Sequence, residues 1–271
     1  MTTQGSGDVV LVTGATSGLG RACAERLAAR AYRVYGTGRK PSAPEAGGVI
    51  LLSMDVTDDQ SVRKAVREIL DREGRIDAVV CNAGYGIAGP VEETPLAEAK
   101  AQFETNFFGT LRTIQAVLPA MRAAGRGRVL VVGSMAGLAG VPYQSLYSAA
   151  KFALEGLVEA LRMETRAFGI RCAIVEPGDT RTGFTDARKK SAAPGSPYAA
   201  AMERSLGVME KEERNGSDPA VMARLVERLL RKDRLRVRYM VGPGFQKLAM
   251  TLKRVLPSRT YEWIMASYYR V

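Results

Sequence analysis

The sequence predicts an α/β fold: a single domain built on a doubly wound parallel sheet with helices on both faces. Three observations predict it. Short apolar runs alternate with helical stretches between residues 9 and 241. Those runs read as near-continuous Val, Ile and Leu, which suits strands covered on both faces. A length of 271 residues accommodates one large domain of this kind without requiring two small ones.

Each element follows in order. Val9–Val12 is a short apolar strand leading into a glycine turn, with a helix from about Arg21 to Arg30. A second strand, Arg33 to Thr37, ends at Gly38. The stretch from Lys40 to Gly48 carries two prolines and two glycines and reads as a loop. Val49–Leu52 is a third strand, ending in Met54–Asp55. From Asp58 to Arg72, Val62, Ala65, Val66 and Ile69 recur at helical spacing, with Asp58 or Asp59 as cap. Ile76–Val80 makes a fourth strand and Asn82–Ala83–Gly84 the turn after it. A long helix runs from Leu96 to Ala123, a fifth strand covers Arg128–Val132, and another long helix runs from Ser145 to Phe168. Ile170–Val175 is the sixth strand. Residues 178–216 lose periodicity and are expected to form a mobile loop over the substrate with one short helix. A helix over Pro219–Arg231 and a strand over Val237–Val241 complete the domain, residues 1–242, and residues 243–271 form a C-terminal extension.

Composition narrows the chemistry. Apolar residues make up 46% and charged residues 25%, ordinary for a globular protein. No apolar run reaches the roughly 18 residues that span a bilayer. The polar stretch Met1 to Asp8 and the short run after it lack a signal-peptide core, so a cytoplasmic location is expected. The three cysteines, Cys23, Cys81 and Cys172, sit far apart in apolar surroundings and suggest neither a disulfide framework nor a zinc site. There is no histidine at all. That removes Ser-His-Asp and Cys-His mechanisms and leaves Tyr, Lys, Asp and Glu for proton chemistry. The formal charge is +11, and from Arg231 onward ten basic residues face only Asp233 and Glu262. No nucleic-acid-binding module accompanies that charge, so no nucleic-acid partner is expected.

In Thr13–Gly14–Ala15–Thr16–Ser17–Gly18–Leu19–Gly20, three glycines join the first strand to the first helix. Gly14 permits the tight turn, Gly18 lets backbone approach a pyrophosphate, and Gly20 lets helix pack on strand. The helix N-terminus then offers free N–H groups to the phosphates. This is the Rossmann-type context for a dinucleotide. An NAD site places an acid after the second strand to hold the ribose 2′-hydroxyl. Here Gly38 is followed by Arg39 and Lys40, which suits the 2′-phosphate of NADP(H).

Tyr147 and Lys151 lie four apart, one turn along a helix. A free phenol, with its pKa near 10, is a poor acid or base at neutral pH. The neighbouring ammonium is expected to bring it down. Thirteen residues upstream, Ser134 follows the fifth strand, at the sheet's carboxyl edge where a binding crevice opens.

Taken together, the Thr13–Gly20 turn, Asp55, Asn82–Ala83–Gly84, Asn106, Ser134, Tyr147 with Lys151, and Pro177–Gly178 with Thr182 resemble the short-chain dehydrogenase/reductase superfamily over essentially the whole chain. The resemblance implies that Tyr147 protonates a carbonyl oxygen while nicotinamide delivers hydride. Ser134 would bond the same oxygen, Lys151 the nicotinamide ribose, and Asn106 a water of the proton relay. It also implies that Asp55, with Val56, contacts the adenine, and Asn82, in its turn with Ala83 and Gly84, the adjacent ribose. Thr16, Ser17, Gly18, Leu19 and Gly20 would serve the phosphates, and Pro177, Gly178, Thr180 and Thr182 the carboxamide and diphosphate side. The segment Ser134–Leu157 looks like the 17β-hydroxysteroid and retinol dehydrogenase branch, with some likeness to lipid-type reductases, and so implies an apolar carbonyl or alcohol substrate. Relatives suggest a homodimer or homotetramer through the two long helices. One departure is Ser17, where many NADP-using relatives carry a basic residue; Arg39, with Lys40, is left to hold the 2′-phosphate.

The tail stays open at this level. Positions 245, 248, 249, 252, 255 and 256 form an apolar helical stripe ended by Pro257, and Tyr261–Tyr269 adds Trp263 and several aromatics. It reads as a wall of the substrate pocket, a subunit contact, or a basic amphipathic peripheral contact with a membrane. Two other classes share the fold: a nucleotide-sensing scaffold, which tends to lack the Tyr/Lys pair, and an epimerase or dehydratase, which expects a longer substrate domain.

Overall fold

A computed structural model describes residues 7–41 and 43–271. Met1–Ser6 and Ser42, assigned from sequence to the polar N-terminal stretch and to a loop, lie outside the described residues.

Val9–Val12 forms β1. Its side chains divide between two cores. Val10 and Val12 pack with Leu27, Leu130 and Met222, whereas Val9 and Leu11 pack with Ile114, Val129 and Leu154. Successive strand residues point to opposite faces, so an unbroken apolar run is what a doubly covered strand requires. Around β1 come α1 (Gly18–Ala28), β2 (Arg33–Gly38), β3 (Glu45–Ala46), β4 (Val49–Ser53) and α2 (Asp59–Glu73). Asp58, not Asp59, is the cap of α2: its carboxylate accepts from the Gln60 N–H at 2.8 Å.

The other wing comprises β5 (Ala78–Cys81), β6 (Ile87–Ala88), α3 (Leu96–Phe103), α4 (Gly109–Ala123), β7 (Gly127–Val132), α5 (Ser145–Glu164) and β8 (Ile170–Pro177). It ends with β9 (Lys189–Lys190), α6 (Ala199–Arg214), α7 (Pro219–Arg231), β10 (Arg238–Val241), α8 (Gly244–Leu252) and α9 (Ser258–Tyr269). The main sheet runs β10-β8-β7-β5-β1-β2-β4-β3, parallel except for β3 against β4. From β1 the chain winds outward through β2 and β4, then returns to β5 and winds the other way. The crevice beyond the carboxyl ends of β1 and β5 is therefore the expected ligand site.

Four expectations are corrected. The helix from Leu96 to Ala123 is interrupted by a π-helical turn, Glu104–Phe108, centred on Asn106. Residues 40–48 are not all loop, because β3 lies within them. The 178–216 segment carries not a short helix but the 16-residue α6. Its Met202, Leu206 and Met209 pack with Ala88 and with Val141, Tyr143 and Tyr269. Those apolar positions recur at helical spacing, but the glycines, prolines and charges around them hid the pattern. The tail helix stops at Leu252, and α9 begins after Pro257.

Candidate active site

One cavity of about 900 Å³ opens at the carboxyl edge of the sheet. Its first half is built by the turn between β1 and α1. Gly14 and Gly18 adopt φ of 65° and 53°, in the left-handed region that favours glycine. A Cβ on Gly20 would strike the Gly14 carbonyl and the Asn82 amide, so helix and turn approach as the sequence required. No side chain caps the start of α1, and no acid sits in its first turn. Its first residues, Gly18 and Leu19, line the cavity with Thr16 and Ser17, where the N-terminal N–H groups of a helix can meet an anion. Gly20 itself lies behind the lining.

At the end of β2, Gly38 and Arg39 line the cavity, and Arg39 is exposed. Lys40 does not line it. Asp55 and Val56 do. The Asp55 carboxylate accepts from the Thr57 N–H at 2.9 Å and its hydroxyl at 2.7 Å. Those two bonds hold its pKa below the ordinary value, with a smaller contribution from the Arg39 charge. Asn82 ties β5 to β1: its amide donates to the Thr13 carbonyl at 3.0 Å and the Gly14 carbonyl at 3.2 Å. Ala83 and Gly84 continue the floor. These groups leave a glycine-lined cradle, uncapped helical N–H groups and an exposed basic side chain, which fits an adenine dinucleotide.

The reacting groups lie at the middle of the cavity. Ser134 follows β7, and Tyr147 and Lys151 stand on α5; all three line the space. Tyr147 is 9% exposed and Lys151 5%. The Lys151 ammonium donates to the Val132 carbonyl at 2.8 Å and lies 5.7 Å from the centre of the Tyr147 ring. The expected lowering of the phenol is overturned. Burial pushes Tyr147 up to about 12, and hydrogen bonding with the Ser134 side chain only partly draws it back. Burial also pulls Lys151 down to about 8. For both groups desolvation of the charged form is the largest cause. In this arrangement Tyr147 is a neutral, proton-bearing acid at pH 7.

Asn106 does not line the cavity. It is buried beneath Tyr85, whose N–H donates to its side-chain oxygen at 3.0 Å and whose carbonyl accepts from its amide at 2.8 Å. The π-turn aims the side chain away from its own helix to make these bonds, a common use of such bulges.

Beyond Tyr147 the lining changes character. Pro177, Gly178, Thr180 and Thr182 lead from β8 into it. Phe184, which carries no sequence signal of its own, packs against the Tyr147 ring with centroids 5.6 Å apart and planes tilted by 55°. Phe245, Ala249 and Met250 of α8 and Ile264, Met265 and Tyr268 of α9 form the far wall. Of the three readings of the tail, the structure brings it to the pocket. Asp179, Glu212 and Glu213 line the same half. Burial, reinforced by the two glutamates, raises Asp179 to about 6, and Gln246 of α8 is hydrogen-bonded to it. Glu213 is held by Arg188 and by the Thr185 hydroxyl. None of these acids carried a local sequence signal, because folding brings Asp179, after β8, to the two glutamates of α6.

Residues 8–193 match the family model for short chain dehydrogenase. Over 265 residues the chain is 42% identical to the 3-ketodihydrosphingosine reductase of Bacteroides thetaiotaomicron, covering 97% of this chain and 98% of that protein. It is 40% identical over 193 residues to human 17-beta-hydroxysteroid dehydrogenase type 1, covering 65% of this chain and 58% of that one. That match accords with the branch likeness of Ser134–Leu157. A solved short-chain dehydrogenase from Streptomyces avermitilis superposes with a TM-score of 0.82 at 35% identity, over 97% of this chain and 98% of its own.

Proposed function

The chain belongs to the short-chain dehydrogenase family, and from that premise we propose that it is an NADPH-dependent reductase of a long-chain ketone, of the kind named for the Bacteroides relative. The supporting observation is that Ser134 and Tyr147 sit where a dinucleotide cradle meets an apolar chamber in one cavity. Reduced nicotinamide, when bound, supplies hydride to the carbonyl carbon. The Ser134 and Tyr147 hydroxyls hold the carbonyl oxygen, and Tyr147 gives that oxygen its proton as negative charge develops. A buried phenol that stays protonated suits this direction of reaction. Lys151 would hold the nicotinamide ribose and Arg39 the 2′-phosphate, which favours NADPH over NADH.

Within apolar substrates, the acids distinguish a class. Asp179 and Glu212 bring negative charge to the far half, where Glu213 is already paired with Arg188, which suits a ketone that also carries an ammonium group. The 17β-hydroxysteroid-like and retinoid-like readings offer no such partner. The test is NADPH oxidation with 3-ketodihydrosphingosine, a 17-ketosteroid and all-trans-retinal side by side. Turnover of the amino ketone at least tenfold above the others supports the reading, and equal or inverted preference refutes it.

The tail has an outward side as well. Phe245, Ile264 and Tyr268 line the cavity yet stay 50%, 39% and 41% exposed, and Trp263 is 70% exposed. With Lys247, Arg254 and Arg259 nearby in sequence, this rim suits peripheral contact with an anionic bilayer that holds the substrate. No helix among the described residues is long and apolar enough to cross a membrane. Flotation with phosphatidylglycerol vesicles, but not phosphatidylcholine ones, would support the contact.

A further inference from the structure

Glu176 is the residue of β8 that a core strand should not contain. Ala173, Ile174 and Val175 before it are fully buried, and Glu176 is 0% exposed as well. Neither of its carboxyl oxygens makes a well-formed hydrogen bond among the described residues. A side chain that merely filled space there would be an aliphatic one, since burying an unsatisfied carboxyl is costly.

Its surroundings point to a task. The carboxyl group lies against the Cα of Gly133, where any Cβ would collide with both of its oxygens. The residue before, Val132, offers the carbonyl that accepts from Lys151. Glu176 and Lys151 thus meet at one peptide, Val132–Gly133, immediately ahead of Ser134. From α5, Glu155 stands one turn beyond Lys151 and grips Arg238 of β10 through both carboxylate oxygens. Arg238 reaches on to Glu159 at 3.4 Å. The charged and titratable groups around Glu176 are therefore Lys151, Glu155 and Tyr147 on α5 and Arg238 on β10. Lys151, Glu176 and Glu155 form a buried row leading away from Tyr147, with half-buried Arg238 at its end.

We propose that Glu176 is a positioning residue that governs the protonation of Lys151 across the Val132–Gly133 peptide. Burial, reinforced by the Glu155 carboxylate, pushes Glu176 above the ordinary carboxylate range, while the Lys151 charge opposes that shift. As pH rises it ionises, and its carboxylate then holds the Lys151 ammonium charged. Lys151 keeps its proton to a higher pH than its own burial would allow. The inference rests on the role proposed for Lys151.

Glu176→Gln has the shape of the neutral acid but never becomes an anion. The alkaline limb of kcat/KM should begin about one pH unit earlier, roughly a tenfold deficit at pH 9. Glu155→Gln removes the charge that keeps Glu176 protonated, and Arg238 keeps Glu159, so its alkaline limb should move the other way. The same opposite shifts should appear in NADPH binding against pH, a readout that needs no turnover. Binding keeps the inference testable if the proposed ketone is not reduced, which would refute the functional reading alone. Limbs that superpose on wild type, or that move the same way in both variants, overturn the role of Glu176.

Discussion

The two halves of the cavity are made of different materials. Between Thr13 and Lys151 it is built from backbone: glycines in close approach, free helical N–H groups, an asparagine tying two strands. Between Gly178 and Tyr269 it is built from side chains on three helices that meet only in the folded chain. Backbone cradles recognise what dinucleotides share, whereas a side-chain wall can be rebuilt for a new substrate without disturbing the cradle. Changes in the first half should therefore strike every substrate, and changes in the second half should discriminate among them.

The largest effect should come at the seam. Lys151→Met should lower kcat/KM by about 10³-fold for every ketone tested while the chain still folds; steady-state rates with circular dichroism check it, and a loss below tenfold breaks the division. Next, Arg39→Asp should weaken NADPH by roughly 30-fold, the scale of one lost charge-assisted contact, and leave NADH within a few-fold. Fluorescence titration of the two dinucleotides measures it, and equal weakening of both would remove Arg39 from the 2′-phosphate site. Tyr268→Ala should act on the other half only, raising KM for a long-chain ketone by about tenfold with NADPH affinity unchanged. A parallel loss of NADPH binding would show that the halves are not separable.

The smallest effect concerns Asp179. The fold keeps its carboxyl at about 6 against a usual 3.8, so it favours the neutral form. That stabilising contribution is complete below the lower value and is lost as pH rises through the upper one. Asp179→Asn should therefore melt a few degrees above wild type at pH 8, with the difference gone at pH 4. A difference that is the same at both pH values would deny the shift.

The same contrast explains what could be read from the chain alone. The parallel sheet was legible because a doubly covered strand, such as Val9–Val12, is an unbroken apolar run whatever surrounds it. The nucleotide turn was legible because Gly14, Gly18 and Gly20 answer to local backbone geometry. Asn106 was found as a residue but not as a place: its bonds to Tyr85 depend on a π-turn that no local pattern announces. The direction of the Tyr147 shift was misjudged because spacing reveals the neighbouring lysine but not the burial of both groups. Glu176 passed unnoticed inside an apolar strand, Phe184 comes from the turn after β8, and Glu213 and Tyr268 become neighbours of the site only where α6 and α9 reach the cavity.

The phenol of Tyr147 as proton donor at the meeting point of the two halves is tested most directly by a single turnover of Tyr147→Phe. The variant is mixed with NADPH and 3-ketodihydrosphingosine, and nicotinamide absorbance is followed. NADPH should bind as in wild type, and its oxidation should slow by roughly 10³-fold. Oxidation within a few-fold of the wild-type rate would show that another group delivers the proton.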